Sequence, residues 1–418
     1  MSMNSYFHEN EQMNPVEREH RLLSRLPAFI QYVKQESPYY AKLLADVIAS
    51  DISTRALLAQ LPITRKSDLK ALQKCDAIFA GIVSEKATIA RVFQSPGPIN
   101  EPENCMDDWW RMGQAFYAAG FRKNDLVQNC LSYHLTPGGF ILDSGARACG
   151  CTVIPAGPGQ TEQQLEVIES LKPSGYCGTP SFLNILLEKA TVNEKDVSSI
   201  TKALVTGEAL PESLRASFKS KGIDVLQAYA SADIGLIGYE SIAGEGFIIA
   251  EELIIEIVRP GTLEPVEHGE VGEVVVTSFN ADYPLIRFAT GDLSSIAEGK
   301  SRCGRTNKRL KGWLGRADQT TKVKGMFVHP EQIEKIRKAF PQINKMRLTV
   351  DHMEHNDMMT LACELDSFAK LAIETKAFSE QVALALQKAT NLSGQVSLVP
   401  LGSLPNDGKV IDDVRVLR

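Results

Sequence analysis

The chain has 418 residues, with 45 basic against 51 acidic side chains and a formal charge of −6, which argues against nucleic acid bound through a general positive field. Hydrophobic and charged shares of 44% and 23% are those of a soluble globular protein, and the length implies two or more domains. No apolar run reaches the roughly 18 residues of a membrane span, the opening MSMNSYFHENEQMN lacks the basic and apolar regions of a signal peptide, and eight scattered cysteines without a CxxC pair give little support to structural zinc, so reduced thiols in the cytoplasm are expected.

Residues 1–14 are polar and expected to be loose. From Pro15 to Lys34, Leu22, Leu23, Leu26, Ile30 and Val33 recur at helical spacings. LPITRKSDLKAL reads as a helix entry with Thr64 near the cap. A short strand precedes Arg91 to Glu103, RVFQSPGPINEPE. Trp109 to Val127 reads as a helix and a turn, and Asp143 to Cys151 as a helix running into a buried strand, CTVIPAG. Thr161 with Gln164 predicts a capping box, after which Leu165, Ile168 and Leu171 face a core until Lys172-Pro173 ends the helix. A strand ends at Thr179, and Pro180 opens the next helix. Another strand ends at Gly207-Glu208-Ala209, and VLQAYASADIG follows. Strands alternating with helices predict a mostly parallel sheet covered on both faces. Ligands bind at the carboxyl ends of such strands. Glu252 to Val258 and Glu273 to Ser278 read as strands around a turn-rich GTLEPVEHGEVG, which suits an antiparallel subdomain.

The most informative stretch is Tyr283 to Glu334. Leu285–Phe288 reads as a short apolar strand containing Arg287, and Thr290-Gly291-Asp292 as a tight turn holding a carboxylate at the strand end. Gly315-Arg316-Ala317-Asp318 comes about one strand later. Glycine lets the backbone turn sharply beside a ligand, a fixed Asp accepts hydrogen bonds from vicinal hydroxyls, and an Arg matches phosphate or carboxylate. After Lys324-Gly325 and a strand, a helix opens at Pro330 with acidic residues early and basic ones late. The remainder predicts a compact α/β unit: a hairpin around His355-Asn356-Asp357, a helix across 370–390, the strand VSLVP, and a glycine loop carrying Lys409.

TGD, GRAD, KG and HPEQIE in this order resemble the adenylate-forming superfamily of acyl-CoA synthetases, adenylation domains and luciferases, and within it the phenylacetate–CoA ligase branch. The resemblance runs from about residue 20 to 412, and within it LPITRKSDLKAL resembles the LP.T.K.DL segment that precedes the nucleotide core in that branch, a reading compatible with the helix entry. It implies an α/β fold: a large N-terminal domain with mostly parallel sheets plus a β-rich subdomain (1–316), and a small mobile C-terminal α+β domain (317–418) hinged at Asp318. Asp292 then corresponds to the ribose-binding aspartate, and Gly207, Glu208 and Ala209 to the segment along the adenine. Tyr229, Ser231 and Arg316 join the nucleotide-binding set. Asp233 takes the place of the acid that ligates Mg²⁺. Tyr133, His134 and Phe140 match the segment lining the acyl pocket, Lys324 and Gly325 would sit near the coenzyme A channel, and Lys409 is the catalytic lysine.

Two parts depart from the pattern. Residues 95–102 occupy the place of the Ser/Thr/Gly-rich phosphate loop, where small residues let amides approach phosphates. Ser95 and Gly97 fit. Pro96 and Pro98 remove two backbone donors, and Glu101 stands where a lysine is usual, which would set a like charge beside a triphosphate. Ala232 replaces a threonine whose hydroxyl meets phosphate in the family.

The resemblance implies an AMP-forming acid–thiol ligase using ATP, Mg²⁺ and coenzyme A on a compact, aromatic carboxylic acid. Two alternatives stand beside it: an enzyme loading a carrier-protein thiol, and a divergent homologue that binds AMP or an acyl ligand without full ATP-dependent activity. The weakened loop and Ala232 motivate the divergent binder, and Asp292, Arg316 and Lys409 count against it. Expected partners are small molecules, without nucleic acid or membrane; a homodimer is compatible with the sequence.

Overall fold

The computed structural model describes residues 6–75, 78–95, 98–317, 319, 321–323, 326–353, 356–365, 375–405 and 407–415. The chain divides into two compact units, one of Met1–Ile255, Val276–Phe288 and Ile296–Trp313, the other of Glu256–Val275, Ala289–Ser295 and Leu314–Arg418. The second unit thus gathers two earlier segments as well as the C-terminal hundred residues. Among the described residues no helix is long and apolar enough to cross a membrane.

The first unit opens with the 3-10 turn Glu9–Gln12, whose buried Glu11 pairs with Arg305, so residues 9–12 are not loose as expected; the helix Pro15–Glu36 follows. Proline occupies its first turn and the Asn14 side chain accepts a hydrogen bond from the Val16 amide at 2.9 Å. Leu22, Leu26, Ile30 and Val33 are buried, so the expected stripe is the packed one. The heart of this unit is a nine-stranded sheet. Leu126–Asn129, Thr152–Pro155, Gly175–Gly178, Lys202–Val205 and Asp224–Ser231 run parallel in it. Each is followed by a helix until the last, which turns back antiparallel into Gly235–Tyr239. Leu165, Ile168, Leu183, Leu186 and Ala190 from two of these helices pack against Tyr176, Ala203 and Val205 of the strands. Strand order reverses at Leu126–Asn129: the chain goes first to Thr152–Pro155 on one side, then to Gly175–Gly178 on the other. That is the topological switch point where open α/β sheets bind ligands.

Four further local expectations are corrected. Thr152–Pro155 is the edge strand of the sheet and is only half-buried, so its apolar residues mark an edge, not the expected buried strand. Thr161 is not a cap: Gln160, in the left-handed region at φ 48°, precedes the helix Thr161–Leu171. The Gln164 side chain instead donates to the carbonyls of Gly157 and Gly159 at 2.7 Å, tying down the turn before the helix. Between Trp109 and Val127 the helix is only Gly113–Ala118, because Asp108 and Arg111 take positive φ and break its start. The fourth correction is that Thr290-Gly291-Asp292 is no turn. The strand Leu285–Ser294 runs straight through it.

In the second unit, Ile343–Met353 and Asn356–Leu365 form an antiparallel hairpin, with Ile411–Asp413 parallel to the former and Gln395–Pro400 parallel to the latter. Helices Pro330–Ala339 and Thr375–Thr390 pack on this sheet. Ile333, Ile336, Val382 and Leu386 meet Leu348, Val350 and Leu361 in one apolar core. The His329 amide is satisfied by the Gln332 side chain at 2.8 Å, and Pro330 takes the first helical position as its chemistry predicts.

Candidate functional site

In the first unit Tyr133, Gly207 to Ala209, and Tyr229 to Asp233 fall at the carboxyl ends of three parallel strands of one sheet, Leu126–Asn129, Lys202–Val205 and Asp224–Ser231. Asn129 ends Leu126–Asn129, and its side-chain amide donates to the Tyr133 hydroxyl at 2.7 Å and to the Gly139 carbonyl at 2.8 Å. The Tyr133 hydroxyl donates in turn to Asp143 at 3.1 Å, and burial raises its ionisation well beyond the usual phenol range. The Tyr133 ring lies 5.2 Å from Phe140, edge to face, and Phe140 lies 5.2 Å from Phe93. Phe93 was not anticipated, because nothing in the local pattern of a strand shows which side chain will lean on a pocket contributed by another element. His134 is exposed.

Gly207, Glu208 and Ala209 leave Lys202–Val205 as an exposed turn, with Gly207 at φ 82°. The Glu208 carbonyl accepts from the Gln227 side chain at 2.7 Å, and the Thr206 hydroxyl donates to the Ala228 carbonyl at 2.8 Å. These bonds tie that turn to the next strand, which carries Tyr229 and Ser231. The Ser231 hydroxyl accepts from the Ile234 amide at 3.2 Å. Gly235 fixes this corner: its φ is 79°, and a Cβ there would lie 2.7 Å from the backbone oxygen of Trp110. Arg111, its ionisation lowered to about 10 by burial, donates to the Ile234 carbonyl from the same side.

Ile89–Ser95 and Ile99–Asn104 pair antiparallel, so Ser95 and residues 99–102 of the expected phosphate loop lie in strands. Gly97 lies outside the described residues. Glu101 sits on the second strand, fully buried, and does not project from the turn. Its carboxylate accepts from the Ser95 amide at 3.1 Å and from the Ser95 hydroxyl. Burial, then the neighbouring Asp233, push its pKa up to about 7 against the pull of Ser95 and Lys66. Glu101 therefore does not face a phosphate from the loop position expected of it; it clamps the hairpin.

Asp233 is buried and paired with Lys66, whose ammonium lies 2.5 Å from Oδ2. Its Oδ1 has no hydrogen-bond partner among the described residues. One free carboxylate oxygen suits Mg²⁺, which is commonly held by one or two carboxylates together with phosphate oxygens. Among the described residues no group of three His, Cys, Asp or Glu side chains could hold a metal alone.

In the second unit Asp292 and Arg316 face one another across paired backbone. Leu293 and Leu314 exchange hydrogen bonds with this pairing, at 2.8 Å to the Gly315 carbonyl and 2.9 Å between Leu314 and Leu293. Arg316 donates to the Asp292 carboxylate at 2.9 Å. Gly291 takes φ 78°, a backbone conformation that favours glycine, and the Arg316 guanidinium lies over it. Pairing with residues 314–316 is what keeps TGD in a strand.

Lys409 follows Gly408, at φ 71°, and pairs with Asp412 at 2.7 Å on a half-exposed side chain. Gln319 shapes the loop by donating to the Gly408 carbonyl at 3.1 Å and accepting from the Ile411 amide at 2.8 Å. Gln319 carries no motif of its own, so its part in this loop is visible only in the fold. Asp318, Lys324 and Gly325 lie outside the described residues. Arg287, fully buried at φ 46°, donates to the Ala59 and Leu61 carbonyls at 2.6 Å each and so serves the fold.

Residues 110–281 match the model of the AMP-binding enzyme family, and residues 325–415 match that of the AMP-binding enzyme C-terminal domain. The phenylacetate–coenzyme A ligase of Thermus thermophilus is 29% identical over 337 residues, 76% of this chain and 75% of that one. The enzyme of the same name from Escherichia coli K12 is 27% identical over 407 residues, 92% of each chain. Among solved structures, a 2-hydroxyisobutyryl-CoA ligase in complex with 2-HIB-AMP and CoA is 20% identical with a TM-score of 0.70. The match covers 99% of this chain and 93% of that one and speaks to the fold.

Proposed function

The chain belongs to the AMP-binding enzyme family, and from that premise we propose that it is an AMP-forming acid–thiol ligase that activates a compact, aromatic carboxylic acid and passes it to coenzyme A. The observation that carries this reading is the match to phenylacetate–coenzyme A ligases over as much as 92% of the chain, with Lys409 inside the matched C-terminal family domain.

Each residue then has a task. Asp292, steadied by Arg316, accepts hydrogen bonds from the ribose hydroxyls. Gly207 to Ala209 and Tyr229 flank the base, and Ser231 holds the corner after them. The aromatic group of Tyr133 and Phe140 supports an aromatic acid. Mg²⁺, when bound, neutralises phosphate charge, and Asp233 would hold it through Oδ1. Lys409 offsets the charge that develops as the acid's carboxylate displaces pyrophosphate from ATP; it acts as a fixed ammonium and need not lose its proton. The thiol of coenzyme A then displaces AMP. We assign Asp318 as the hinge between these steps and Lys324 and Gly325 to the thiol side, in a cytoplasmic enzyme.

A second reading has a specific observation behind it. Ser95 is engaged by Glu101 within a closed hairpin, which favours a homologue that binds AMP or an acyl-adenylate without turning over ATP. Carboxylate-dependent ATP–pyrophosphate exchange over aromatic and aliphatic acids separates the two. Exchange with an aromatic acid is expected; AMP binding without exchange for any acid would favour the binder. Thioester formation with coenzyme A against a carrier-protein thiol then identifies the acceptor.

A further inference from the structure

The hairpin at 89–104 carries no lysine, and its Ser95 hydroxyl is committed to Glu101. A cation is nevertheless present in the same unit. Lys66 opens the helix Lys66–Cys75 directly after the strand Thr64–Arg65. Its ammonium lies 2.5 Å from Asp233 Oδ2, with the lysine side chain 24% exposed and the aspartate fully buried. The lysine side chain thus runs from partial exposure to a buried carboxylate, and only one of the ammonium's three N–H donors is needed for the pair. Two further polar atoms, Asp233 Oδ1 and the hydroxyl of the buried Tyr283, have no partner among the described residues. Buried polar atoms are rarely left so unless an ion, water or ligand completes them. Tyr283 is a charge neighbour of Asp233 and Glu101, and Glu101 of Lys66, so these groups lie together: an ammonium, a hydroxyl donor and an unpartnered carboxylate oxygen, with the Glu101 carboxylate beside them. The ammonium and the hydroxyl would suit phosphate oxygens, and the carboxylate oxygen would suit the dication that accompanies them.

We propose that Lys66 is the cation that receives the nucleotide's polyphosphate in this chain, in place of a phosphate-loop lysine. The proposal rests on the AMP-forming reading above. A lysine beside a buried aspartate is most often only its counter-ion, and the test must separate charge balance from ligand contact. Lys66→Gln keeps a donor for Asp233 and removes the charge; Lys66→Arg keeps both. Calorimetry on the full chain in Mg²⁺ buffer measures AMP, ATP and pyrophosphate. A charged hydrogen bond sets the scale: Lys66→Gln should lose about ten- to a hundredfold in ATP and pyrophosphate affinity, with AMP within about threefold of wild type, and Lys66→Arg should recover most of the loss. In the wild-type chain an amine-acetylating reagent followed by mass spectrometry should show Lys66 protected by ATP or pyrophosphate and not by AMP. Equal losses for AMP and ATP in Lys66→Gln, no loss at all, or labelling indifferent to ATP overturns the proposal while leaving the family reading standing. Failure of the wild type to bind any of the three overturns both.

Discussion

Glu101 shows how a single residue changes meaning once its surroundings are known. Its pKa is about 7 in the fold against an ordinary 4.5, so the folded chain holds the proton more tightly than the unfolded one. Stability contributed by this site is therefore present at low pH and falls as pH rises from about 4.5 to about 7. Glu101→Gln removes the charge and keeps one acceptor for Ser95. After about 1 kcal/mol for the lost second bond, it should be more stable than wild type by about 1–2 kcal/mol at pH 8. No gain should remain at pH 5. Urea titrations at both values check this, and the same difference at each pH would mean Glu101 does not titrate there. Asp292→Ala should weaken AMP at least about tenfold through loss of a charged hydrogen-bond acceptor. It should shift stability by less than about 1 kcal/mol, because its Arg316 partner is half-exposed. Calorimetry showing unchanged AMP affinity would remove the ribose assignment.

At the scale of elements, the corner between Asp224–Ser231 and Gly235–Tyr239 decides where Asp233 points. Gly235 has a positive φ and abuts the Trp110 backbone, which cannot move aside as a flexible side-chain tip could. Gly235→Ala should cost at least about 2 kcal/mol, from backbone strain and overpacking combined. ATP affinity should fall more than AMP affinity, since Asp233 lies two residues away. A fully stable variant with normal ATP binding would show the corner to be pliable. The loop holding Lys409 is a second such element. Gln319→Ala removes the side chain that binds both sides of it, and pyrophosphate exchange should drop with AMP affinity unchanged. An undiminished exchange rate would show that the loop holds its form without Gln319.

For the molecule as a whole, the test of a two-step ligase is that its steps can be lost separately. Lys409→Ala should lower adenylate formation by about 10²–10³, the usual consequence of removing one preorganised transition-state partner. The same variant should still convert a supplied acyl-adenylate to thioester. Asp318→Pro fixes φ near −65°; if that angle suits adenylation, pyrophosphate exchange should survive while thioester formation falls. Assays of both half-reactions in both variants decide between rotation and a fixed arrangement. Equal loss of both steps in each variant would count against a rotating ligase, and full activity in Lys409→Ala would discard the mechanism.

The family, the alternation of strands and helices, and the order of the motifs around Asp292, Arg316 and Lys409 were legible in the chain alone. They rest on local patterns: apolar periodicity, proline and glycine at element ends, and charged residues at fixed spacing. What stayed hidden depends on partners distant in sequence. TGD reads as a turn because glycine and aspartate favour turns, yet pairing with residues 314–316 holds it in a strand. CTVIPAG reads as buried because it is apolar, yet only strand order shows that it lies at the sheet edge. Glu101 reads as a charge in a phosphate loop, yet a six-residue step to Ser95 turns it inward. Lys66 and Asp233 are 167 positions apart, and no local spacing foretells their pairing. Local sequence determines which segments become helix or strand, while burial and register, fixed only when the chain closes on itself, decide which charge meets which.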